Sequence, residues 1–152
     1  MMRLAALACL VAAAPAAAQP DPGSQDPEAA VRATIMRLFD GMRARDTSAV
    51  RAALHPDARL HTVVRDGEGH RLEEGSMAEF IAALGASPVG WDERIGDIEV
   101  RFDDGLATAW TAYRLFVGER FIHCGVDAFT LVQDAAGWRI LQIADTRRTG
   151  CE

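Results

Sequence analysis

Four polar side chains with useful chemistry are predicted to lie on one face of a β-sheet in the second half of the chain. They are Arg114, His123, Asp127 and Gln142. A histidine titrates near neutral pH and a carboxylate can accept or donate a proton, so His123 and Asp127 are candidate catalytic residues for general acid–base chemistry. Because they stand four residues apart on one strand, their side chains start roughly 13 Å apart. We therefore expect no direct hydrogen bond between them, although one ligand could contact both.

These residues also have a structural interpretation, which the sequence leaves open. Arg114 and Asp127 could neutralise each other in an ion pair, and His123 could cap a backbone group. The sequence lacks the motifs of three other kinds of site. It has no His, Cys and Asp cluster with metal-ligand spacing, no glycine-rich loop for binding phosphate, and no nucleophile elbow. We expect no metal and no cofactor.

Three helices are predicted from capping residues and hydrophobic periodicity. The Asp-Pro-Glu sequence at 26–28 begins the first helix, whose apolar residues recur at helical spacing to about Arg45. Thr47 is predicted to cap a short second helix through Ala53 and Leu54, which the His-Pro pair at 55–56 ends. Ser76 opens a third helix with the pattern of a capping box. The helices therefore lie mostly in the first half of the chain.

Strand-like runs follow, joined by short turns. One run covers Ala58–Arg65, and the others are about Glu93–Phe102, Leu106–Val117, Arg120–Gln133 and Trp138–Arg147. Short connections imply antiparallel neighbours, so the class is α+β, with helices packed on one face of a curved sheet.

Alternation along each strand, counted from the turns, divides the side chains between two faces. The concave, helix-covered face is predicted to carry the apolar residues Ile98, Val100, Phe102, Trp110, Ala112, Phe129, Leu131, Trp138 and Ile140 together with the four polar residues. The same count places Tyr113, Asp145 and Arg147 on the convex face, away from Asp127.

Two short motifs resemble the nuclear transport factor 2-like superfamily. The sequence His55-Pro56-Asp57-Ala58 after two helices is similar to its entry strand, and Gly137-Trp138-Arg139-Ile140 is similar to its closing strand. Within the superfamily the chain looks closest to SnoaL-like and lumazine-binding-like exported members. The resemblance implies a cone-shaped α+β barrel, with three N-terminal helices on the concave face of a curved antiparallel sheet and an apolar pocket at the wide end.

The resemblance further implies a module that binds a small apolar or aromatic molecule, without established catalysis. The predicted ligand-binding residues are Leu60, Thr62, Ile98, Trp110, Arg114, Phe129 and Gln142. One alternative is a SnoaL-like acid–base enzyme, a cyclase or isomerase, that uses Asp127 or His123. Another is a dimeric protein-interaction domain, because members of the superfamily commonly form homodimers through the sheet. An apolar patch of Tyr113, Val126 and Ile143 is predicted on the convex face for that contact.

Two enzymatic branches of the superfamily match poorly. In the ketosteroid isomerase branch the general base would fall at Thr62, which cannot act as a base at neutral pH. The epoxide hydrolase branch has an Arg-x-Asp pattern on one strand, whereas Asp145-Thr146-Arg147 has the reverse order. Neither activity is therefore expected.

The N-terminus indicates export. Residues 1–18 have the basic start, apolar stretch and small residues of a signal peptide cleaved near Ala18, with a flexible linker at 19–26 and the domain at 27–152. We expect a periplasmic or secreted protein with no membrane anchor after cleavage.

The net charge of −6 argues against a nucleic-acid partner. Cleavage removes Cys9, so Cys124 and Cys151 remain as a candidate disulfide, the alternative being two free thiols.

Overall fold

The computed structural model describes residues 26–151. The predicted signal peptide at 1–18 and all but the last residue of the predicted linker at 19–26 lie outside the described residues. The helices are α1 (Pro27–Ala44), α2 (Thr47–Ala53) and α3 (Met77–Ala86). The strands are β1 (Leu54–Asp66), β2 (Gly69–Gly75), β3 (Trp91–Ile95), β4 (Glu99–Asp103), β5 (Leu106–Val117), β6 (Arg120–Asp134) and β7 (Gly137–Thr146).

α1 and α3 begin at their predicted caps, whereas α2 is capped by Asp46, one residue before the predicted cap Thr47. The Asp26 side chain accepts a hydrogen bond from the Glu28 N–H at 3.0 Å, and the Asp46 side chain accepts two from the first turn of α2. Ser76 accepts one from the Glu79 N–H at 3.2 Å and so caps α3. Each cap satisfies backbone donors that the helix itself cannot reach, typically worth about 1 kcal/mol.

The seven strands form one curved sheet in the order β2-β1-β7-β6-β5-β3, and β4 also pairs with β5. The pair β1–β7 is parallel and every other pair is antiparallel. This is the α+β cone that the sequence predicts, with one parallel pair where only antiparallel neighbours were expected. The parallel pair joins the entry strand to the closing strand, so the two ends of the domain stabilise each other.

The core lies between α1 and the middle of the sheet. Its helical side consists of the buried residues Val31, Ile35, Leu38, Phe39 and Met42. Phe39 meets Phe129 of β6 edge to face, with ring centroids 6.1 Å apart. Burying each large apolar side chain is worth about 1.5–3 kcal/mol, so this contact holds α1 on the concave face.

A bulge in β6 changes the register that strict alternation predicts. Ile122 is an extra residue between two pairs of the β5–β6 ladder, since Phe116 pairs with Phe121 but Leu115 pairs with His123. From Leu115 back to Leu106, each β5 residue therefore pairs with the β6 residue that follows its predicted partner. The predicted positions of Trp110, Ala112 and Arg114 on the concave face are therefore wrong. All three are exposed, and Thr111 and Tyr113 face inward instead.

A second irregularity in β7 reverses its alternation too. Thr130 pairs with Gln142 but Leu131 pairs with Ile140, which leaves Leu141 as the extra residue. Gln142 consequently faces outward, whereas Asp145 turns inward and is 6% exposed. The predicted convex positions of Asp145 and Arg147 are wrong for this reason.

One predicted strand is in fact two. The run from Glu93 to Phe102 divides into β3 and β4 at Gly96, whose N–H donates to the Ala112 carbonyl at 2.8 Å. Both pieces pair with β5. The break leaves Ile98 buried among core residues rather than beside a pocket.

Candidate functional site

A cavity of about 560 Å³ opens between α1, α3 and the concave face of the sheet. This volume lies in the range of small-molecule sites. Its apolar wall includes Leu38, Phe39, Met77, Phe80, Trp91 and Phe129. Phe80 of α3 and Trp91 of β3 pack edge to face with centroids 5.8 Å apart. The two rings fix the position of α3 over the cavity.

A group of polar side chains lies on the opposite wall and is called the polar cluster below. It consists of Thr62, Glu93, Tyr113, Asp127, Asp145 and Arg147. The first five are buried, and the Arg147 side chain is 41% exposed. Five different strands and the residue after β7 supply these groups, so the cluster exists only in the folded sheet.

Asp145 is the best-satisfied carboxylate of the cluster. It accepts hydrogen bonds from the Thr62 hydroxyl at 2.5 Å, the Tyr113 hydroxyl at 3.0 Å and the Arg147 Nε at 2.7 Å. These three donors, one of them positively charged, satisfy the hydrogen-bonding capacity of a buried carboxylate. Asp145 therefore anchors the cluster.

Tyr113 reaches Asp145 because the neighbouring residue on β6 has no side chain. Gly125 pairs with Tyr113, and a Cβ at 125 would overlap the Thr146 carbonyl oxygen. That carbonyl consequently lies close over Gly125, 3.0 Å from the Tyr113 hydroxyl oxygen, and shares the single hydroxyl proton with Asp145. Burial raises the pKa of Tyr113, and the negative charge of Asp145 raises it further. Tyr113 is therefore a neutral donor.

Glu93 and Asp127 are two buried carboxyl groups, close enough for the charge of Glu93 to act on Asp127. Burial raises the pKa of Glu93 to about 7, and the Asp145 charge acts in the same direction. Burial also raises the pKa of Asp127 well above its usual value, and the Glu93 charge adds to the rise. Two carboxyl groups in such contact share a proton, because two negative charges cannot be buried together at that distance. The pair can therefore hold or release a proton near neutral pH.

The position of Glu93 is set by α1. Arg43 donates its Nε to the Asp92 carboxylate at 2.8 Å, which ties the end of α1 to β3. The approach is close because Gly90 precedes the strand, and a Cβ there would overlap the Arg43 carbonyl oxygen. Glu93, next to Asp92 but on the opposite side of the strand, is thereby directed at the cavity.

His123 lies beside the cluster and is uncharged at neutral pH. Burial lowers the pKa of His123, and the positive charge of Arg147 lowers it further, while the Asp145 charge has the opposite effect. Its ring packs edge to face against Tyr113 with centroids 5.7 Å apart. It lines the cavity next to the bulged residue Ile122.

The structure divides the predicted site residues into two groups. Five of them line the cavity, namely Leu60, Thr62, His123, Asp127 and Phe129. The other four do not line it. Trp110 and Gln142 border a separate groove of about 460 Å³ on the outer face of the sheet, Arg114 is exposed, and Ile98 is in the core.

Four residues of the polar cluster were not predicted to belong to the site. Tyr113, Asp145 and Arg147 were missed because of the two bulges. Glu93 gave a usable signal, because it alternates with the apolar residues Trp91 and Ile95 and so shares their inward side. An acid on the apolar side of a strand indicates a special environment.

The predicted convex patch for a dimer contact is also corrected by the register. Tyr113 and Ile143 are 3% and 8% exposed and face the cavity, and Val126 is half-buried. The outer face instead exposes Trp110 by 53% and Leu106 by 51%.

Cys124 and Cys151 are paired as a disulfide, with Cα atoms 6.4 Å apart, a separation typical of disulfides. Between residues 26 and 151, no helix has the length and apolar character needed to cross a membrane. In that same range, no three His, Cys, Asp or Glu side chains are arranged to hold a metal ion.

Residues 26–144 match a family model described as "Putative lumazine-binding". No curated protein matches the chain in sequence. An NTF2-like protein from Cytophaga hutchinsonii is 12% identical, with 82% of this chain and 100% of that chain covered and a TM-score of 0.66. An NTF2-like protein with a cystatin-like fold from Novosphingobium aromaticivorans is 19% identical, with 83% of this chain and 84% of that chain covered and a TM-score of 0.61.

A protein from the same organism described as a "Putative Scytalone Dehydratase" is 11% identical, with 80% of this chain and 84% of that chain covered and a TM-score of 0.65. At such identities the three structures show a shared fold.

Proposed function

The chain belongs to the lumazine-binding-like family, within the nuclear transport factor 2-like superfamily, and on that premise we propose that it is an exported module that binds a small apolar or aromatic molecule in its cone. The observation that carries the proposal is the cavity of about 560 Å³ with an apolar wall on one side and the polar cluster on the other. A ligand would bury its apolar body against the aromatic rings, and the cluster would orient its polar end.

Trp91 offers a direct way to detect such a ligand. It lines the cavity, whereas Trp110 lies on the outer face and Trp138 is in the core. A neutral fluorescent probe, N-phenylnaphthylamine, is expected to bind the wild-type protein and quench its tryptophan emission. Trp91→Phe should remove most of the quenching, and Trp110→Phe should leave it intact.

Two neighbouring positions on α3 provide a matched pair for testing the location. Both Ala82 and Ala83 are exposed, but only Ala83 lines the cavity. Ala83→Trp should block the probe, whereas Ala82→Trp should not. Equal binding by both variants, or no binding by the wild type, would contradict the proposal. Candidate ligands, a lumazine among them, can then be ranked by displacement of the probe.

The carboxyl pair favours one second function, a general acid–base enzyme of SnoaL-like type. Glu93 and Asp127 border the cavity and exchange a proton near neutral pH, as a general acid or base must. Asp127→Asn would then abolish turnover while binding persists, and His123→Ala would lower it. If both variants convert every substrate as fast as the wild type, the enzymatic function is excluded.

Export rests on the N-terminal sequence, and the cysteine pair supports it, because disulfides persist in oxidising compartments. Expression of the full chain in a Gram-negative host should yield a periplasmic protein whose sequence begins at Gln19. Recovery of uncleaved protein in the cytoplasmic fraction would contradict export.

A further inference from the structure

We propose that the ligand carries a cationic N–H head group, a protonated amine or an amidinium, which binds the Glu93–Asp127 carboxyl pair while its apolar body fills the cavity. The inference rests on the proposed function, because it requires that the cavity bind a small molecule. It adds the chemical class of that molecule.

The first observation is a buried acceptor without a donor. Asp127 is 3% exposed and lines the cavity, and its Oδ2 has no hydrogen-bond donor among the described residues. Asp145 lies directly opposite on β7 and accepts the hydrogen bonds of the three donors on this wall, Thr62, Tyr113 and Arg147. A buried polar atom without a partner is costly, so natural proteins rarely keep one that serves no purpose. A ligand N–H is the group that Asp127 lacks.

The second observation is the charge of the cavity lining. Six carboxyl groups line it, and they are Glu73, Glu74, Glu79, Glu93, Asp127 and Asp145. Two arginines line it as well, Arg120 and Arg147. Arg147 is already engaged by Asp145. Glu73 and Glu74 are paired with Arg71 and Arg59, which lie outside the lining. Glu79 and the carboxyl pair against Arg120 still leave a net negative charge, which favours a cation over an anion.

The groups that face the carboxyl pair also leave a negative charge without compensation. They are Thr62 from β1, Tyr113 from β5, His123 from β6, and Asp145 and Arg147 from the end of β7. Thr62, Tyr113 and His123 are neutral, and the charges of Asp145 and Arg147 cancel. With one shared proton, the Glu93–Asp127 pair keeps one negative charge that no described side chain compensates. An organic cation would supply the missing charge and donate hydrogen bonds at once.

Binding of a cation must then be linked to protonation. Below about pH 7 the pair binds its second proton and becomes neutral, so a proton competes with the cation. The affinity for a cation should therefore rise with pH through this range. The affinity for a neutral ligand that accepts a hydrogen bond should fall over the same range, because it needs the protonated pair.

The test uses two probes that differ in the head group alone, naphthylmethylamine and naphthylmethanol, with titration calorimetry at about pH 5 and about pH 8. We expect the amine to bind at least about tenfold more tightly than the alcohol at the higher pH, and the difference to shrink at the lower pH. Asp127→Asn should remove the preference and leave the alcohol unaffected. Asp57→Asn, a control at an exposed acid outside the cavity, should change either affinity by less than about twofold.

Glu93→Gln keeps the test decisive if Asp127→Asn fails to fold. The glutamine amide can donate to Asp127, which then stays ionised, so amine binding should persist and lose its pH dependence. If the alcohol binds as tightly as the amine at both pH values, and Ala83→Trp blocks it, the cavity binds small molecules and the inference is overturned. If neither probe binds the wild type, the inference and the proposed function fail together.

Discussion

Asp127 and Asp145 stand directly opposite each other on β6 and β7, yet their surroundings are opposite in kind. Asp145 accepts hydrogen bonds from Thr62, Tyr113 and Arg147. Asp127 has a carboxyl group, Glu93, as its neighbour and an oxygen without a donor. Two acids of the same type, both about 95% buried, thus have different roles. Asp145 is held in place by three donors, whereas Asp127 can change its charge.

The anchoring role of Asp145 predicts a large loss of stability in Asp145→Asn. The substitution leaves Arg147 without its charge partner and puts an amide donor against the Thr62 and Tyr113 hydroxyls. Removing one member of a buried ion pair typically costs about 3–5 kcal/mol, and the exposure of Arg147 places the expected cost nearer 2–3 kcal/mol. Urea unfolding at neutral pH measures it. Asp57→Asn, at a position 82% exposed, should cost less than about 0.5 kcal/mol. Equal stability of the two variants would show that Asp145 is not an anchor.

The carboxyl pair predicts that stability falls as the pH rises from about 4.5 to 7. Glu93 and Asp127 keep their protons in the folded chain after the unfolded chain has released them, because burial raises both pKa values. Their contribution is fully present below the unfolded pKa values and is lost as the pH rises through the folded ones. The slope is at most about 1.4 kcal/mol per pH unit for each retained proton.

Urea midpoints at a series of pH values, for the wild type and for the double variant Glu93→Gln with Asp127→Asn, isolate this effect. The double variant should lose the decline between about pH 4.5 and 7. Acids that α1 and the turns hold in ion pairs, such as Asp92 and Asp134, have lowered pKa values and act only at lower pH. An unchanged slope in the double variant would contradict the shared proton.

The helices and most of the strand segments could be predicted from the sequence because their signals are local. Capping residues mark the start of each helix, as Asp26 and Ser76 show. Turn residues likewise mark the ends of β5 and β6. The superfamily motifs at the two ends of the domain then identify the fold. None of these signals depends on distant contacts.

The faces of the strands could not be predicted, because each bulge is a property of the pairing and not of the strand. Ile122 and Leu141 have no residue type that announces an extra position, yet each reverses the alternation beyond it. Because of the bulge at Ile122, Trp110 faces outward and not into the pocket as predicted. Because of the extra residue Leu141, Asp145 faces the cavity and not outward. The site therefore depends on two residues that contribute little to its chemistry.

The disulfide predicts a loss of stability on reduction. It links Cys124 on β6 to Cys151 beyond β7, a separation of 27 residues. Closing a loop of this length is worth about 3.5 kcal/mol in the chain-entropy model. Intact mass should rise by two hydrogens on reduction, and urea unfolding should then show the loss. Cys151→Ser should unfold like the reduced wild type and be insensitive to reductant. A wild type whose mass does not change on reduction would show two free thiols.

The outer face predicts a homodimer that depends on Trp110. The three helices cover the concave face, whereas Trp110 is 53% exposed on the other face of the sheet, in the groove that Thr108, Ala128 and Ala144 also border. A large exposed aromatic side chain in the middle of a sheet is suited to a two-fold contact. Sedimentation velocity at micromolar concentration should show a dimer for the wild type and a monomer for Trp110→Ser. Leu72→Ser, at a position 63% exposed on β2, is the matched control and should remain dimeric.

Neither substitution should change the free energy of unfolding within the monomer by more than about 0.5 kcal/mol, because neither side chain is in the core. A wild type that sediments as a monomer would leave the outer face without this role.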